Sequence, residues 1–83
     1  MKLEGTWFFT PKPGGRTYRV EVFRYEEFGS YGNSIYRQQN DGTFSLNSHG
    51  GSSPHKTIEE SLERAENDIR RTIEQETSSR MKA

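Results

Sequence analysis

The chain reads as an α+β domain: a four-stranded antiparallel sheet made of two hairpins, with one C-terminal helix packed on one face, in the order β-β-β-β-α. Three observations predict this. Ile58, Leu62, Ala65, Ile69 and Ile73 recur at helical spacing and form one apolar stripe. Upstream of them nothing has that period. There Tyr18, Val20 and Val22 alternate with Thr17, Arg19 and Glu21, the period of a half-buried strand. Between the strand-like stretches stand Lys12-Pro13-Gly14-Gly15 and Asn40-Asp41-Gly42, both with the residues that tight turns demand.

The sheet is expected over residues 3–47. Thr6-Trp7-Phe8-Phe9-Thr10 is rich in strand formers, with Leu3, Trp7 and Phe9 on one side and Phe8 on the other. Pro13 suits a turn position with φ near −65°, and the glycines after it suit φ > 0. Residues 17–25 continue the first hairpin. Their alternation slips at Phe23 and Tyr25, so either a bulge re-phases the strand or two aromatics stand on the open face. Residues 26–34 read as a loop, with two glycines, two carboxylates and two aromatics. Residues 35–39 form a short third strand. A fourth follows over 43–47, with Phe44 and Leu46 on one face. Residues 48–56 read as a glycine- and serine-rich linker in which Pro54 stops any early helix. Thr57-Ile58-Glu59-Glu60 is a capping box, so the helix is placed at 57–77 and a frayed tail at 78–83. Glu60 with Arg64 and Glu66 with Arg70 support it at i,i+4 spacing.

Eighty-three residues make a single domain, 1–83, near the lower size limit for folding without staples. There is no cysteine, hence no disulfide, thiol nucleophile or thiolate zinc site. The longest apolar run is Trp7-Phe8-Phe9, so no membrane segment is expected and the reading is cytoplasmic. Hydrophobic content of 28% and a mean hydropathy of −1.10 point to a small core. Ten aromatic residues argue against disorder and suggest a core completed by a partner or a second copy. The net charge of zero gives no global attraction to nucleic acid or membrane.

No catalytic constellation can be assembled from these residues, so no enzyme, cofactor or metal is expected. His49 and His55 lie in the linker without metal-ligand spacing and read as structural or solvent-exposed. Gly50-Gly51-Ser52-Ser53 lacks the lysine of a phosphate-binding loop. Glu26 and Glu27 are adjacent and point to opposite sides of an extended segment, which makes them poor acid–base partners. Phe28 and Tyr31, set between glycines, either tuck over the sheet edge or stand ready for a partner, since interfaces favour aromatics. The candidate partner-binding set is Phe28, Tyr31 and Tyr36, with Arg24 and Arg37 as rim contacts and Glu26 and Glu27 as mimics of phosphate charge. An alternative set, Arg19, Phe23, Tyr25 and Arg37 on the open sheet face, suits stacking and clamping of single-stranded RNA or DNA.

Tyr18-Arg19-Val20-Glu21-Val22, then Asn40-Asp41-Gly42-Thr43-Phe44, then the helix start from Thr57 to Ala65 resemble, over residues 17–73, the order of pieces in HicB-like antitoxin domains. Ser61 stands where that family usually has alanine. The resemblance implies a sheet-and-helix domain that binds and masks a toxic ribonuclease, commonly as an oligomer. The expectation is therefore a small non-enzymatic protein-binding inhibitor. Its partner is a toxin or a defence complex, as for a phage-borne anti-CRISPR protein, and homodimerisation through the sheet is a further option.

Overall fold

The computed structural model describes the backbone of residues 1–82 and the side chains of residues 1–48 and 55–76. It is a four-stranded antiparallel meander with one helix. The strands are β1 (Lys2–Phe9), β2 (Tyr18–Tyr25), β3 (Ser30–Gln38) and β4 (Phe44–His55), in spatial order β1-β2-β3-β4, and the helix α1 spans Ile58–Lys82. No helix among the described residues is long and apolar enough to cross a membrane.

The turns follow their sequences. The Gly15 amide donates to the Lys12 carbonyl at 2.8 Å, and Gly14 has φ of 75°, so Pro13 and Gly14 occupy the central positions of a type II turn. At the far hairpin the Gly42 amide donates to the Gln39 carbonyl, and Gly42 has φ of 88°. Asp41 Oδ1 accepts from the Thr43 amide at 3.0 Å and from the Thr43 hydroxyl at 2.6 Å. These two bonds hold the Asp41 carboxyl below the ordinary carboxylate range. The loop is thus longer than a two-residue turn, with one left-handed residue where the chain rejoins the strand.

Two segments differ from the expectation. Residues 26–34 are not one loop: β3 begins at Ser30, and only residues 26–29 turn, with the Phe28 and Gly29 amides both donating to the Tyr25 carbonyl. Nor are residues 48–56 a linker, since β4 runs to His55 and pairs Ser48 with Ile35, His49 with Ser34 and Gly50 with Asn33. The cause is the same in both places. Serine, glycine and asparagine carry weak strand propensity, yet the outer amides and carbonyls of β3 need a ladder, and small residues supply one without steric cost. Irregular registers at Ile35/Tyr36 and Tyr31/Asn33 absorb the extra residues of β4. The expected tail also differs, because helical backbone continues to Lys82.

One face of the sheet is covered. Tyr18, Val20, Val22 and Ile35 pack against Ala65 and Ile69, all but fully buried, with Trp7, Phe9, Tyr31, Ile58, Leu62 and Ile73 around them. Each such aliphatic side chain taken from water is worth about 1.5–3 kcal/mol, which is what docks the helix. Ser61, fully buried where a larger residue would separate helix from sheet, receives the Asn33 side-chain amide on its carbonyl at 2.9 Å and its hydroxyl at 3.1 Å. Arg37 ties β3 to the far end of the helix through Glu76 at 2.6 Å. Thr57 caps the helix, accepting from the Glu60 amide at 3.1 Å, while the Glu60 carboxylate accepts from the Lys56 amide, one residue before the capping threonine.

Candidate protein-binding face

The other face of the sheet has no helix over it. β2 keeps strict alternation, so Arg19, Glu21, Phe23 and Tyr25 all stand on this face; the irregularity lies instead in β1, between Leu3 and Gly5, and turns Leu3 to the same side. Register builds the face in rungs. Phe8, Arg19, Tyr36 and Leu46 form one, with Phe44 reaching over it from the start of β4. Thr6, Glu21 and Ser34 form the next, and Leu3, Phe23 and Gly32 a third. Gly32 has no side chain because the Tyr25 ring lies on it; a Cβ there would come 2.7 Å from that ring.

The first rung is a clasp around an arginine. The Arg19 guanidinium carbon lies 4.3 Å from the centre of the Tyr36 ring and 5.2 Å from that of Phe44. Phe8 meets Phe44 edge to face with centroids 6.0 Å apart, so rings from the two edge strands meet across the middle of the sheet. Arg19 Nε is buried with no hydrogen-bond partner, consistent with a guanidinium held by ring faces. Tyr36 joins this cation to the one anion of the face: its phenol is pushed up chiefly by donating to the Glu21 carboxylate, with burial and the nearby negative charge adding, and Arg19 opposing. Arg19 and Glu21 are the charged residues that the pairing register places on this face. They are opposite in sign, and Tyr36 senses both. The large side chains that remain exposed are apolar: Phe8 at 61%, Leu46 at 50% and Leu3 at 47%.

The residues singled out in the sequence do not converge on one patch. Phe28, 77% exposed, and Glu26 and Glu27 project together from the β2–β3 turn, where they line a shallow cleft with Tyr25 and Met1. Tyr31 lies on the opposite side, half-buried against the helix-side core, and Arg24 is exposed beside it in register. Arg37 also points to the helix side, where Glu76 holds it, and so belongs neither to a rim beside Tyr36 nor to the open face. A strand residue one place from Tyr36 must take the other face. Arg19, Phe23 and Tyr25 do share the open face, as Tyr36 does. Phe8, Phe44, Leu46 and Leu3 were not among the chosen residues; alternation set Phe8 opposite Trp7, and that was the available signal.

His55, expected in an open linker, is buried near the helix start, with Nε2 unpartnered. The His49 side chain lies outside the described residues. Among the described residues no three His, Asp or Glu side chains gather as a metal site. Comparison with protein families, with curated proteins and with solved structures finds no match for this chain.

Proposed function

We propose that the protein is a non-enzymatic protein-binding domain whose contact surface is the open face of the sheet. The observation that carries this reading is the aromatic clasp around Arg19 on a face that no helix covers. Arginine and aromatics crowd one open face that carries one charge of each sign in β2, and the large exposed groups left over are apolar. Interfaces between proteins are built this way, with aromatics and arginine at a centre that contains little net charge.

The composition of the face favours protein over nucleic acid. A single strand tracked across a sheet needs a cation for each phosphate neutralised. This face offers one arginine, already engaged with two rings and offset by Glu21, and Arg37 is turned away.

Affinity capture from a nuclease-treated lysate tests the reading, with the wild-type chain beside a Phe8→Ser/Leu46→Ser variant and a Phe28→Ala variant. Wild type and Phe28→Ala are expected to retain the same protein, and the double variant to lose it by at least about tenfold, the effect of removing apolar anchors. Retention of nucleic acid that disappears with nuclease, or equal capture by the double variant, would overturn it.

A further inference from the structure

We infer that the occupant of the open face is a second copy of this chain, the two sheets stacking face to face around a two-fold axis. This rests on the reading above and adds the identity of the partner.

The face is complementary to itself in charge. Its first rung is bulky: Phe8, Arg19, Tyr36 and Leu46, with Phe44 over it. The next holds Thr6, Glu21 and Ser34, with His49 in register on β4 and its side chain outside the described residues, and the third holds Leu3, Phe23 and the Tyr25 ring. Rungs on one face are two residues apart, about 6.6 Å. Consider an axis lying in the interface, across the strands, at the level of Val20. It reverses the strand direction and exchanges the Arg19 rung of one copy with the Glu21 rung of the other. The bulky rung of each copy then lies against Thr6, Glu21 and Ser34 of the other. Arg19, the one cation that the described residues place on this face, meets Glu21 of the partner subunit, and the same contact recurs on the other side of the axis. A two-fold interface requires this reciprocity, residue i on j and j on i. Glu21 can accept it, because a carboxylate has about four acceptor sites and Tyr36 uses one.

Size and long-range charge agree with this. Four strands about 4.8 Å apart and eight residues long cover roughly 500 Å² in projection, and protruding rings raise the accessible area towards the ~800 Å² per partner of a stable interface. The net charge is zero, so two copies approach without mutual repulsion. Stacking would give a layered α/β/β/α assembly with the sheets about 10 Å apart, removing the exposed aromatics from water.

Sedimentation of the full chain over a micromolar to millimolar range tests this, with helical and strand content checked for each variant. Wild type is expected to form a dimer. Arg19→Glu and Glu21→Arg should each weaken it by at least tenfold, since like charges then face each other twice. Mixing the two variants should restore a dimer containing one of each, because every facing pair is again opposite in sign. Thr6→Arg puts a long cation between the two sheets from an exposed position and should also abolish association, so a folding failure at Arg19 leaves a working test. A wild-type chain that stays monomeric throughout overturns the assignment, as do charge variants that dimerise like wild type. If the chain is monomeric yet its capture of another protein still depends on Phe8 and Leu46, only the second copy is excluded. Capture that is indifferent to those residues removes the protein-binding reading as well.

Discussion

The two faces of the sheet carry similar numbers of large side chains and use them in opposite ways. On the helix side, Val20, Val22, Ile35 and Ile69 reach zero exposure, and two polar side chains there bond across to the helix: Asn33 to Ser61 and Arg37 to Glu76. On the open side, Phe8 and Leu46 remain half or more exposed, and the charged pair is held by rings and a phenol. The covered face stabilises the fold. The open face leaves Phe8, Leu46 and Leu3 largely in water, and the proposed protein contact rests on that.

The sharpest way to break that contrast is to cut equivalent side chains on each side. Ile69→Ala should lower stability by about 2–5 kcal/mol, the cost of a core aliphatic truncation with its cavity. Leu46→Ser, at an exposed position, should change it by less than about 0.5 kcal/mol while weakening association. Urea unfolding of both variants at low concentration checks this. Equal losses would mean that the open face contributes to the fold as the covered one does.

Asn33→Ala should come next, at about 1–3 kcal/mol, because the buried Ser61 hydroxyl loses its donor under the helix. The urea midpoint should fall with the slope unchanged. Thr57→Ala removes only the cap of α1 and should cost about 1 kcal/mol, read in the same experiment.

These residues also show what the sequence could and could not disclose. The Pro13-Gly14 and Asp41-Gly42 turns, the Tyr18-Val20-Val22 alternation and the stripe from Ile58 to Ile73 are local signals, and the structure places an element at each. The start of β3 and most of β4 were hidden, because Gly32 and Asn33 answer to what lies on them, the Tyr25 ring and Ser61, and not to strand propensity. Ser61 is 28 residues from Asn33 in the chain. The candidate site suffered more. A one-residue change of phase moves a side chain to the other face, so Tyr31 and Arg37 were grouped with Tyr36, from which the sheet separates them. Phe8 and Phe44 meet only because two edge strands bring them across the middle, and no spacing within the sequence encodes that.

The smallest effect tests the link between the two charges of the open face. Tyr36 donates to Glu21, and this is the first cause of its raised phenol. A phenol whose folded value exceeds its ordinary value near 10 binds its proton more tightly in the folded state. Its stabilising contribution is therefore complete below that ordinary value and is lost as pH rises through the folded one. Glu21→Gln removes the charge and weakens the acceptor, so Tyr36 should ionise at lower pH. Ultraviolet phenolate titration, with Tyr36→Phe identifying the signal, should show that one transition moving down while the others stay. The same variant should leave urea stability nearly unchanged, as expected on the uncovered side. If the Tyr36 transition does not move, Glu21 is not its partner, and the link between the two charges of the open face is lost.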